Sequence, residues 1–555
     1  MSNELINRQY VGARYVPKIM GEWNKALQYE ALSVVTHVGN SFTSKIPVPS
    51  NIDIEDENYW VNTGNFNAQI AEYTSIAKEN ILCFATVTEM KQSKILKKNM
   101  KVKTLGYRQI NDNGGAYYYI TDIQPNAYYE TLSGELYATL IFENELNIKA
   151  LGAYGDGVND DYNYIIKGIE CLKTKGGTLF FPSGTYLINE PIIVNYFMTC
   201  ITFKGENELY ANRGTKLLYN GNSYMFEFSA NLFHCNFENI YFCGNNRNNG
   251  ILFKRGNDSH VSYVYFRKCW FTDFLKGTNI ACKTGYLYFN NCTWYGSNDI
   301  NFKYCVSIGT DETLETVTNT DNTEYVYFND CNISGVYSNS GNGVVYNNGQ
   351  FIYMTRCDIN NWSTIAFLFN TNKPKLYNDI ILDNMSFVLN KMGISIVGNG
   401  NIKNLKITGN FSSRDSDGMA FKCNLKEGYL YGLSLKIDKS EYPNRIKIIE
   451  LNNCNSPFIR VSSYLNGFIY GVNNSNVDIQ FQGVKYYGTV YVTSNNTSNV
   501  TLSEQSPYPS NYPLTLICYG GKGGQRNKIS NTEFGPLTLT ITEADNATSY
   551  YFILK

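Results

Sequence analysis

The sequence predicts an all-β protein wound as a parallel β-helix, with small β modules before it and a β tip after it. Three observations predict this: a repeated six-residue pattern, a turn residue at a fixed place in that pattern, and period-two apolar alternation around it. The pattern runs through FENIYF (237–242), FRKCWF (266–271), FNNCTW (289–294), FNDCNI (328–333), MTRCDI (354–359), LDNMSF (382–387) and IKNLKI (402–407). LYGLSL (430–435), LNNCNS (451–456) and VNNSNV (472–477) continue it. Aligned on their fourth residues, Ile240 to Ser475, the units are 29, 23, 39, 26, 28, 20, 28, 21 and 21 residues apart. Self-similarity at such a period marks a solenoid, because each unit buries its apolar face only against a neighbour. The third residue is Asn in six of the ten units (239, 291, 384, 404, 453, 474), with Asp330 a near equivalent. Asn tolerates the left-handed backbone and bonds locally, so a row of Asn suits one tight corner repeated coil after coil. Phe237, Phe266, Phe289, Phe328, Met354, Leu382, Ile402, Leu430, Leu451 and Val472 are expected inside. So are Cys235, Val264, Leu287, Val326, Ile352 and Ile380, two residues earlier.

The other elements follow in chain order. Residues 1–64 read as a compact module of short strands and turns. Over 65–81, Phe66, Ile70, Tyr73 and Ala77 recur at helical spacing, predicting a linker helix or a short coiled-coil seam. Residues 82–147 predict a small β module with a DNGG turn between two strand-like runs. The β-helix is expected over 148–480. It opens with a helix at 161–175 that Asp160 or Asp161 caps, that buries Ile165, Ile166, Ile169 and Leu172, and that Gly176 and Gly177 end. Such a helix would plug the open end of the first coil. Residues 481–555 read as a separate β tip.

Composition narrows the function. The 555 residues carry a formal charge of −1, which gives no field that would attract nucleic acid. The opening residues have no apolar leader core, and no apolar run is long enough to insert in a membrane. Of the 14 Cys, Cys269, Cys292, Cys331 and Cys357 fall at one inward ladder position in successive units, where thiols act as small hydrophobes. The cysteines therefore read as reduced, from a chain made in a cytosol. No CxxC pair or His/Cys cluster has zinc spacing among three His, so neither metal nor cofactor is expected. Asp156, Asp160 and Asp161 are expected to fix a turn and cap the helix.

Two places can carry function. Tyr263, Tyr265, Tyr286, Tyr288, Tyr325, Tyr327, Phe351 and Tyr353 form an outward aromatic stripe over four coils. Aromatic faces with hydroxyl tips suit glycan binding, and such a stripe equally suits packing against another copy of the chain. The longest interval, between Cys292 and Cys331, holds the candidate catalytic carboxylates Asp299, Asp311, Glu312, Glu315, Asp321 and Glu324. A glycosidase needs two carboxylates about 5 Å apart, or about 6.5–9.5 Å apart for inversion. A solvated acidic loop has the same composition.

Two stretches resemble known families. LGAYGDGVNDDYNYIIKGIECLKTKGGTLFFPSGTYLI (151–188) resembles the opening of pectate-lyase-like right-handed β-helices, matching at Gly152, Gly155, Asp156, Gly157, Asp160, Asp161, Gly176, Gly177, Thr178, Pro182, Gly184 and Tyr186. FKGEN…GTKLLY (203–219) continues the match. That fold hosts lyases, hydrolases and binders, so it implies architecture and not chemistry. YVGARYVPKIMGEWNKALQYEALSVVTHVGNSFTSKIPVPSN…NYW is similar to the N-terminal module of tail and appendage proteins in phages of Gram-positive hosts. It also resembles small chitin-binding modules, whose exposed aromatics would correspond to Trp23, Phe42 and Trp60. The domain order resembles a preneck-appendage or tail-spike protein of a short-tailed phage. That resemblance implies a homotrimer on the virion tail or preneck. Its N-terminal module would dock on a collar or tail protein, and its shaft would bind cell-wall or capsular polysaccharide. Adsorption without turnover, depolymerisation by hydrolysis or β-elimination, and a cellular polysaccharide lyase are the three functions this allows.

Overall fold

A computed structural model describes residues 17–65, 81–207, 214–254, 260–309, 323–337, 341–371, 376–441, 446–455 and 457–461, and beyond these the backbone of strands up to 554. The linker helix expected over 65–81 falls outside these residues, as do Asp311, Glu312, Glu315 and Asp321. The chain forms two compact units, Met1–Cys83 with Lys101–Lys103, and Phe84–Met100 with Thr104–Lys555.

In the first unit, Lys18–Glu22, Ser33–His37, Asn40–Ser44 and Trp60–Asn65 form a four-stranded sheet in chain order. Its core is Tyr29, Val35, Val48, Ile54 and Trp60. Trp60 is 2% exposed and meets Tyr29 edge-on, while Trp23 and Phe42 are partly buried against the same core. The expectation of exposed aromatics here is corrected: a module this small has few large side chains with which to build an interior, and it uses its tryptophan for that.

The second unit contains the β-helix. One coil shows the plan: Lys283–Asn290, a corner, Thr293–Tyr295, a turn, then Tyr304–Ile308. The first two strands lie in a 27-stranded sheet that bends at the corner, and the third lies in an 11-stranded sheet. Within the coils every strand pairs in parallel with its equivalents above and below. Inside, Phe237, Phe266, Phe289 and Phe328 stack with centroids 4.5–4.9 Å apart, the spacing of hydrogen-bonded strands. Cys269, Cys292, Cys331 and Cys357 form the next inward column, and their thiols bond to carbonyls of Phe237, Phe266, Phe289 and Phe328. All thirteen described cysteines are free thiols.

The corner residue is left-handed, as the Asn row requires. Asn239, Asn291 and Asn384 have φ of 56°, 54° and 52°, and Lys268, Asp330 and Arg356 occupy the same slot at 54°, 53° and 51°. Register follows the sequence through six units, Phe237↔Phe266↔Phe289↔Phe328↔Met354↔Leu382. It then departs: Leu382 pairs with Ile407, not Ile402. Asn404 is left-handed too, but it stands beside Asp379 at a different corner, to which its amide donates. Leu451 belongs to Ile446–Asn452 of the 11-stranded sheet, paired with Cys423. The parallel ladder continues past residue 480 to Ser498–Glu504, and Leu537–Ile541 closes it antiparallel. The remaining strands, Thr489–Thr493, Leu514–Tyr519, Arg526–Asn531 and Ser549–Leu554, form a four-stranded sheet.

At the other end, the helix Tyr162–Leu172 buries Ile165, Ile169 and Leu172. A Cβ on Gly168 would stand 2.6 Å from Leu179 Cδ1, so glycine is needed for the helix to lie this close to the first coil. Asp160 accepts from Tyr162 N at the start, and Gly176, at φ 72°, donates to Leu172 O at the end. Asp156 accepts from Val158 N and Asn159 N, and buried Asp161 from Tyr154 N and Gly155 N. Among the described residues no helix is long and apolar enough to cross a membrane, and no group of His, Cys, Asp and Glu could hold a metal ion.

Candidate functional site

The outer side of the sheet strand before the Asn corner carries two columns of rings. One column is Tyr265, Tyr288, Tyr327 and Tyr353, whose Cα atoms pair directly between coils. Successive ring centroids are 4.7, 4.7 and 5.0 Å apart, with planes within 14° of parallel. The other column is His234, Tyr263, Tyr286, Tyr325 and Phe351, spaced 4.8–5.1 Å with planes within 18°. Every member of this second column is left-handed, with φ between 52° and 67°. For a bulky side chain that conformation costs about 1–2 kcal/mol, and the ring–ring contacts offset it in part. Parallel alignment is the consequence of identical backbone geometry in each coil, which gives each ring the same starting direction.

The stacking changes what the wall can do. Ring faces are covered by neighbouring rings, so the edges and hydroxyl groups face outward. None of the seven phenol hydroxyls donates to a partner among the described residues. Burial, then repulsion between neighbouring phenolates, pushes Tyr327 up to about 12 and moves Tyr288 in the same direction. Tyr353 is raised by burial and by Asp379. The hydroxyls of Tyr288, Tyr327 and Tyr353 therefore stay protonated and able to donate at any physiological pH. The site is a comb of hydrogen-bonding groups along the helix axis.

Of the candidate carboxylates, two can be placed, and they are not brought together. Asp299 accepts from Asn301 N at 2.7 Å and fixes the turn before Tyr304–Ile308. Glu324 opens the strand after it, beside Tyr325, and takes a hydrogen bond from the Gln350 amide one coil on. Glu324 thus borders the wall and Asp299 does not. His234 was not singled out by sequence, since nothing about a lone histidine announces that it heads a stack. Arg267 flanks the wall, its guanidinium 4.5 Å from the Tyr265 centroid and paired with Glu238 at 2.9 Å.

No protein-family model matches the chain, and no curated protein matches it. Among solved structures it is similar to the enzymatically active domain of tailspike protein 4 of bacteriophage CBA120, at 12% identity and a TM-score of 0.45 over 99% of this chain and 87% of that one. It is similar to the tailspike protein of Acinetobacter phage vB_ApiP_P1 at 10% identity and a TM-score of 0.43, over 86% and 99% of the two chains. PfbA, a surface adhesin of Streptococcus pneumoniae, is similar at 13% identity and a TM-score of 0.36, over 70% and 100%. At such identities the chemistry of this chain has to be read from its own residues.

Proposed function

We propose that this protein is a receptor-binding appendage of a virion, which adsorbs to polysaccharide on the host envelope. The observation that carries this reading is the wall: seven phenol hydroxyls in two rows, repeating about every 5 Å along a rigid shaft. A pyranose polymer laid along it meets a donor or acceptor at each sugar, and many weak contacts add to firm attachment. The likeness of the N-terminal module to phage appendage modules, and its order before a pectate-lyase-like β-helix, support a virion location, assembly as a homotrimer and docking through that module.

A second reading is that the polymer is also cleaved. It is favoured by Glu324, which stands at the edge of the wall with Gln350 orienting its carboxylate. As general acid or base it would need a second group from the loop that follows Ile308.

The test replaces Tyr288 and Tyr327 by Phe, which keeps the rings and removes two hydroxyls. Adsorption to host envelope polysaccharide should weaken at least tenfold, with circular dichroism and assembly mass unchanged. Unchanged binding would end the proposal. Loss of assembly would make the wall an interface between chains. Release of soluble oligosaccharide by the wild type, abolished in Glu324→Gln, would establish the second reading.

A further inference from the structure

The wall uses its ring faces on one another, and the next face of the same coils does the opposite. Beyond the Asn corner, Tyr241, Trp270 and Thr293 follow one another in register on the outer side of the strands. The Tyr241 and Trp270 centroids are 6.1 Å apart with planes at 65°, and Trp270 and Tyr295 are 5.7 Å apart at 46°. These rings are splayed, so neither neighbour covers the indole with a parallel face. Trp270 is half-buried, whereas Trp60, Trp294 and Trp362 are fully buried. Its indole N–H has no acceptor among the described residues.

Polar groups flank this platform on both sides. Lys216 pairs with Tyr241 across one coil step and holds its ammonium 5.4 Å from that ring. Among the described residues it has no carboxylate partner. On the other side stand the Thr293 hydroxyl and, one coil on, Asn332, whose oxygen accepts from Asn360 while its NH2 remains available. A splayed aromatic row between a lysine that meets the Cys243 thiol but no carboxylate, and an amide, matches a glycan that carries a negative substituent.

We propose that Tyr241, Trp270 and Tyr295 form a second saccharide-binding site, separate from the wall, that takes an acidic pyranose. The glycan lies across Tyr241 and Trp270, one ring against Trp270, and a carboxylate on the Tyr241 side pairs with Lys216. This site does not rest on the reading of the wall, because it uses other residues, another face of the coil and another mode of contact.

Trp270 also supplies the measurement. Trp23 and Trp270 are the partly exposed tryptophans, so an emission change that is lost in Trp270→Phe reports on Trp270. Full-length protein is titrated with hexagalacturonate and, as a neutral control, maltohexaose. Hexagalacturonate should shift and quench the emission. Trp270→Ala should weaken its binding, followed by calorimetry, at least tenfold. Lys216→Gln should reduce it to the level of maltohexaose. Tyr288→Phe with Tyr327→Phe should leave it unchanged. An emission that responds to neither sugar would overturn the proposal, as would binding that survives Trp270→Ala. Binding lost only in the tyrosine variants would also overturn it and would assign the acidic glycan to the wall. Trp270→Phe, which keeps an aromatic face, guards against misfolding and should retain part of the affinity.

Discussion

Single residues set the coil's shape through their backbone. Asn239, Lys268, Asn291, Asp330, Arg356 and Asn384 all fill one left-handed slot with φ within a few degrees of one another. The slot is a demand of the corner, and asparagine meets it at least cost. Asn291→Ala should therefore lower stability by about 1 kcal/mol, and Asn291→Gly by only a few tenths, in denaturant titrations. Asp161 shows a different economy. Its burial raises it from 3.8 to about 6 although Tyr154 and Gly155 donate to it. Between about pH 4 and pH 6 the folded protein thus holds a proton that the unfolded chain has lost. Stability should fall as pH rises through that window, by about 3 kcal/mol, and level off above it. Melting curves should show this slope in the wild type and not in Asp161→Asn. The Asn slot was legible in sequence because the side chain and the conformation agree. The left-handed tyrosines were not, because nothing in a tyrosine signals positive φ.

At the level of the strand, register is set by what packs inside. The pattern of apolar residues identified the strands through six units, where Phe, Cys and Met columns are continuous. It failed at Ile402 because two corners of the coil both accept a left-handed Asn, and the motif at 402–407 carries its Asn at the other one. Sequence alone has no means of telling one corner from the other when the strands Leu376–Phe387 and Asn401–Ser412 run through the bend unbroken. Trp294 shows how much one inward position contributes. It is fully buried, stacks on Phe271 at 4.9 Å and donates its indole N–H to Thr278 Oγ1 at 3.0 Å. Trp294→Ala should cost about 3–5 kcal/mol, through lost contacts, a cavity and an orphaned hydroxyl. A lowered midpoint in guanidinium, with the native spectrum retained, would show it.

Across the whole molecule, most of the described cysteines lie in the apolar interior, and their reactivity follows from that. Of the thirteen described cysteines, Cys83 and Cys200 are exposed, and ten are buried. Burial pushes Cys235 and Cys282 up to about 12, which leaves almost no thiolate at neutral pH. Iodoacetamide should label Cys83 and Cys200 in the native state and spare Cys269, Cys292, Cys331 and Cys357, as peptide mapping will show. Labelling of those four without denaturant would mean that the coils open readily. The stripe itself was legible as a line of outward aromatics. That its rings lie face to face was not, since the pattern gives the positions of rings and not their tilt.

The wall has one more consequence. Its hydroxyls are spaced by the coil and not by side-chain choice, so the two rows work as the fixed scale of a vernier. A polymer whose repeat is commensurate with that spacing meets every graduation in phase. One whose repeat differs by half an ångström has drifted by about 1.5 Å after three coil steps, a large part of a hydrogen bond's tolerance. Recognition would then depend on the pitch of the polymer as much as on the identity of its sugars, and lengthening the shaft by a coil would sharpen the discrimination without adding a new kind of contact.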